Sequence, residues 1–95
     1  MLLIFYLLIV FKTVKFVNMS FKANVNKKIF QEFGRILREK RRGKKLTQEE
    51  LANLAGIHRT YIAGIERGIR NPSLKNIVRL GRALKIEIKE LLKNL

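Results

Sequence analysis

Between residues 48 and 75 the chain gathers side chains that donate hydrogen bonds: Gln48, His58, Arg59, Thr60, Tyr61, Arg67, Arg70, Asn71 and Lys75. Such a mixture of guanidinium, ammonium, amide and hydroxyl groups suits the grip of an anionic partner better than the making of bonds. No catalytic set accompanies it. The chain has one histidine, no cysteine, no aspartate and no phosphate-binding glycine loop. A lone histidine without cysteine or acidic neighbours is no metal site, and the lack of cysteine excludes a disulfide framework. Neither an enzyme nor a cofactor-dependent protein is expected.

Charge points the same way. Lys and Arg number 21 against 7 acids, a net charge of +14 over 95 residues. Small domains usually carry a magnitude of about 2–8, so the field is that of a polyanion binder, for either nucleic acid or an anionic membrane. Two of the basic residues, Lys12 and Lys15, precede Met19 and none of the acids does, which leaves +12 for residues 19–95.

The elements that must position these donors are helices. Ile29, Phe30, Phe33, Ile36 and Leu37 recur at spacings of three and four, which predicts a first helix from about Lys27 to Arg42. Gly43, Lys44 and Lys45 should end it, a glycine and two cations at the negative end of the dipole. Thr47-Gln48-Glu49-Glu50 reads as a capping box, with Leu46 and Leu51 as its hydrophobic staple. That second helix should run to Gly56. A third, about Arg59 to Arg67, presents Ile62 and Ile65 inward and stops at Gly68. Ser73 caps a fourth whose apolar face is Leu74, Ile77, Val78, Leu80 and Leu84, with Gly81 its weak spot. A short fifth carries Ile88, Leu91 and Leu92. Nothing after Met19 alternates with period two over a useful length, so the fold class is all-α.

Gly56 decides how two of these helices meet. A tight turn between steeply crossing helices needs a residue with positive φ. Ala52, one turn earlier, lets the backbones approach, and Ile62 and Ile65 face back from the next helix. This constellation resembles the DNA-binding helix-turn-helix of the lambda-repressor/Cro-like (XRE-type) family, over about residues 30–92. The resemblance rests on "LTQEELA" (46–52), "AGIHRTYIAGIERG" (55–68), "RNPSLKNI" (70–77) and "LGRAL" (80–84). Within the family, "RTYI", "IERG" and "RNPSL" look like the small controller proteins of restriction–modification systems. Phage-type repressors and antitoxins share much of the pattern.

The resemblance implies a compact five-helix DNA-binding domain whose third helix lies in the major groove of duplex DNA. Base-reading positions would be Arg59, Thr60, Ala63 and Gly64, with Arg59 suited to a guanine. Since Ala63 and Gly64 are nearly featureless, part of the specificity falls to DNA shape. Phosphate contacts would come from Gln48, His58, Tyr61, Arg67, Arg70, Asn71 and Lys75. His58 stands where relatives place Ser or Thr as a cap. Arg41 and Glu66 match the family's internal ion pair, whereas Lys40 departs from the pattern, many relatives being apolar there. A homodimer on a pseudo-palindrome follows from the one half-site that one small domain reaches. Ile88, Leu91, Leu92 and Leu95 are its expected interface, although Ile88 and Leu91 serve a monomer core equally well.

Residues 1–18, "MLLIFYLLIVFKTVKFVN", form a hydrophobic N-terminal extension to a working domain at 19–95. The uninterrupted apolar run from Met1 to Phe11 spans roughly 16 Å as a helix, against a hydrocarbon core of about 30 Å. The first reading is a start codon assigned too far upstream of Met19. The second is an anchor through residues 1–17, making a membrane-tethered basic interaction protein; a folded strand or helix is the third. The expectation is a cytoplasmic, dimeric transcriptional regulator, with antitoxin-type autorepression or membrane tethering as alternatives.

Overall fold

At Thr47 a capping box forms as its residues dictate. The Glu50 N–H donates to Thr47 Oγ1 at 3.0 Å, and the Thr47 N–H donates to Glu50 Oε1 at 3.1 Å. The computed structural model in which this is seen describes residues 2–95, with side chains at 2–12 and 24–95. All its regular elements are helices: α1 (Leu2–Gly43), α2 (Gln48–Ala55), α3 (Arg59–Glu66), α4 (Leu74–Leu84) and α5 (Ile88–Leu91). Gly56 ends α2 in the left-handed region at φ 67°, the conformation required of it. Ser73 caps α4 by accepting from the Asn76 N–H at 3.2 Å.

The core lies where α1, α2, α3 and α4 converge, with α5 closing one end. Leu37, Leu51, Ile62, Ile65, Leu80, Leu84 and Leu91 are its fully buried large side chains. Each such burial stabilises by about 1.5–3 kcal/mol relative to exposure. Gly34 marks the closest approach: a Cβ there would run into the carbonyl oxygens of Ile65 and Glu66. Its absence lets the backbones of α1 and α3 touch. Lys40 reaches Glu90 of α5 with Nζ 3.2 Å from Oε2.

Two expectations need correction. The first helix begins at Leu2 rather than near Lys27, because the chain holds no proline and no glycine before Gly34 to stop it. The helix therefore runs through residues 18 and 19 without a break; Met1 lies outside the described residues, and so does the side chain of Met19. The end of the helix is as expected: α1 stops at Gly43, and the left-handed residue beyond it is Lys45, at φ 59°. Leu91 is fully buried by the rest of its own chain, which removes it from any dimer surface.

At the other end of α1, Leu2 to Phe11 are all exposed, from 40% at Val10 to 88% at Leu2. The molecule measures 66 × 23 × 19 Å, its long axis set by a helix about 63 Å in length at 1.5 Å per residue. Among the described residues no helix is long and apolar enough to cross a membrane.

Candidate nucleic-acid interface

α3 owes its position to both ends. His58 caps its start: the Thr60 N–H donates to His58 Nδ1 at 3.2 Å, and Thr60 Oγ1 lies 2.7 Å from the same nitrogen. An imidazole thus does the work that serine does at α4. Ile62 and Ile65 hold the inner face in the core, while Arg59, Thr60 and Arg67 are exposed and Ala63 and Tyr61 half-buried. Tyr61 also fastens the loop beyond α3, its hydroxyl donating to the Asn71 carbonyl at 3.2 Å.

A groove of about 420 Å³ opens beside this face, lined by Arg38 of α1, Gln48 of α2, and Arg59, Thr60, Ala63 and Arg67 of α3. Three helices meet there, and no carboxylate lines it. Beneath it lies Glu66, whose side chain is completely buried.

Glu66 organises the junction. Arg41 donates from Nε to Oε2 at 2.7 Å and from Nη2 to Oε1 at 2.9 Å, a two-point pairing. Arg41 Nη1 also donates to the Leu46 carbonyl at 2.7 Å, joining α1 to the start of α2. Two further donors converge on Oε1: Arg38 Nε at 3.3 Å and Gln48 Nε2 at 3.2 Å. Burial alone would raise the Glu66 pKa. The hydrogen bonds from Arg41, Gln48 and Arg38 outweigh it and hold the carboxyl below its ordinary value. The Arg41 pKa is raised, chiefly by its hydrogen bonds to Glu66.

Of the residues named as base-reading, Arg59, Thr60 and Ala63 share one groove; Gly64 does not. It is buried, and a Cβ at that position would lie 2.5 Å from the Cγ of Arg70. The stem of Arg70 lies across it, so Arg70 occupies the surface assigned to Gly64 and brings its own cation to the α3 face. Among the named phosphate ligands, Gln48 and Arg67 line the groove with Arg59. His58 is exposed at the helix start, and Arg70, Asn71 and Lys75 are exposed beyond the helix end, with Tyr61 tied to Asn71. Arg38 also lines the groove without having been singled out from the sequence, although its place one turn before Arg41 on α1 puts both on one helix face.

Ile88, Leu92 and Leu95 are exposed at 36%, 41% and 48%. Leu92 and Leu95 border a largely apolar groove of about 150 Å³ with Ile29, Phe30, Phe33, Asn71, Pro72 and Ile77.

The chain is similar to several known proteins. A family model described as helix-turn-helix matches residues 37–91. The control protein C.BamHI of Bacillus amyloliquefaciens is 48% identical over 61 residues, covering 63% of this chain and 75% of that protein. The control protein C.SmaI of Serratia marcescens is 45% identical over 47 residues, or 50% of this chain and 56% of that one. Among solved structures, the restriction–modification controller protein C.AhdI from Aeromonas hydrophila superposes with a TM-score of 0.65 and 53% identity, over 65% of this chain and 94% of that one. The restriction–modification controller protein C.Esp1396I, solved as a tetramer with its natural 35 base-pair operator, gives a TM-score of 0.60 and 33% identity over 68% and 96%. With the family model matched over more than half of its length, the chain belongs to the helix-turn-helix family of XRE type.

Proposed function

We propose that the chain is a sequence-specific DNA-binding transcriptional regulator of the controller type, acting in the cytoplasm on duplex DNA through residues 19–95. The observation that carries the reading is the pair Arg59 and Thr60. They stand exposed at the start of a helix fixed by the Gly56 turn and the His58 cap, beside a cationic groove without an open carboxylate. Such a helix start reads base edges in the major groove while its neighbours hold phosphates. The similarity to control proteins favours a place beside a restriction–modification system.

The apolar groove bordered by Leu92 and Leu95, with Ile88 nearby, supports binding as a homodimer, now without Leu91. Sedimentation equilibrium of the full chain at micromolar concentration should return the mass of a dimer; a monomer there would remove this interface.

A fluorescence-anisotropy titration tests the main reading, with DNA from immediately upstream of the gene against random duplex. Upstream DNA should bind at least about a thousandfold more tightly. Equal affinity for both would reduce the protein to a non-specific basic domain. In the same assay Arg59→Ala should cost about 1–3 kcal/mol on the upstream site and relax one base position. Equal losses on both duplexes would remove Arg59 from base recognition.

A further inference from the structure

We propose that Arg38 is a DNA-backbone ligand: Glu66 aims its guanidinium into the groove between α1, α2 and α3, where it completes a phosphate seat with Gln48, Arg59 and Arg67. The inference rests on the DNA-binding reading above and adds α1 to the interface.

Counting charges at the buried carboxylate shows why Arg38 is available. Glu66 carries one negative charge, and Arg41 meets it with two hydrogen bonds while spending its third donor direction on the Leu46 carbonyl. Arg41 is thereby used up inside the fold. Arg38 is the surplus cation. Its Nε touches Glu66 Oε1 at the long distance of 3.3 Å, and its side chain remains 43% exposed while the carboxylate is wholly covered. Among the described residues, neither Nη of Arg38 has a protein acceptor. A guanidinium held through Nε keeps its Nη1–Nη2 edge open, an edge that matches two oxygens of a phosphate.

The side chains that share the groove with Arg38 are cationic or neutral: Arg59, Thr60, Ala63 and Arg67 from α3, and Gln48, whose amide donates to the same Oε1. Three guanidiniums around one groove repel one another until an anion enters. A phosphodiester is the anion that a base-reading helix necessarily brings alongside itself. The nearby Arg35 differs. Its Nε and Nη2 are engaged by Glu32 and its Nη1 by Glu39, so its charge is neutralised on the helix surface.

The test uses the full chain and three variants, Arg38→Gln, Arg38→Lys and Arg35→Gln, titrated against upstream and random duplex over a range of salt. Each phosphate contact adds about 0.9 to the slope of log K against log salt. Arg38→Gln should weaken binding to both duplexes by the same factor, about tenfold at low salt, and make the slope shallower by about one. Arg38→Lys should restore the slope, and Arg35→Gln should leave affinity and slope unchanged. An unaltered slope in Arg38→Gln, with wild-type binding intact, overturns the proposal and leaves the DNA reading standing; so does a loss confined to upstream DNA, which would make Arg38 a base reader. Absence of wild-type binding to either duplex overturns both.

Discussion

Gly34→Ala should destabilise the domain by about 3 kcal/mol, the upper end of what overpacking a core costs. On helix propensity alone the sign is opposite, since alanine in a helix interior is worth about 1 kcal/mol over glycine. The contact geometry decides. A methyl group at Gly34 would overlap the Ile65 carbonyl oxygen and stand 2.8 Å from the Glu66 oxygen. Both obstacles are backbone, so no rotamer change relieves them; α3 must move away from α1. Gly43 supplies the control. It ends the same helix, and nothing lies within 4 Å of a Cβ built there, so Gly43→Ala should be neutral or stabilising by up to about 1 kcal/mol. Urea denaturation followed by circular dichroism separates the two. Equal small effects at both positions would mean that α1 and α3 are not in backbone contact at Gly34.

That helix contact was not legible in the residues, whereas the turns were, and the difference is one of range. A capping box, a left-handed glycine and a serine cap are decided by atoms within four residues, so Thr47, Gly56 and Ser73 announce themselves. The extent of α1 exceeds the expected Lys27 to Arg42 because its polar middle does not interrupt it. Polarity alone does not end a helix; a breaker does, and none stands before Gly34. Leu91 could equally have served a core or a partner, since periodicity records that a side is apolar and not what covers it. The proposed DNA surface is gathered mainly from residues the sequence singles out. Arg59, Thr60, Ala63, Gln48 and Arg67 all come to one groove. Its third guanidinium and the Arg70 stem over Gly64 depend on which side chain crosses which helix, and this is fixed only once α1, α3 and the following loop have packed.

The same packing makes Glu66 the residue whose loss should be felt most. Glu66→Gln leaves Arg41 nearly buried with no counter-charge, and breaking a buried pair from one side costs about 3–5 kcal/mol. For a small domain with a total stability of about 5–15 kcal/mol, that is a large fraction. Acid provides an independent check. The folded Glu66 carboxyl titrates below its ordinary value of 4.5. A depressed carboxylate pKa binds fewer protons in the folded than in the unfolded state, so its stabilisation is complete above the unfolded value and fades as pH falls through the folded one. Arg41, with its pKa raised, stays charged throughout. Wild type and Glu66→Gln should therefore differ most at neutral pH and converge on acidification below about 4.5. The surface carboxyl of Glu32, also lowered by Arg35, is present in both proteins and drops out of the difference. Urea midpoints at pH 7, 5 and 3.5 measure this directly. A gap below about 1 kcal/mol at pH 7, or one that stays constant into acid, would show that the carboxylate does not hold the junction. The variant should also bind DNA more weakly in proportion to the freedom it gives Arg38 and Gln48, because the anchor of the fold and the aim of the groove are one carboxylate.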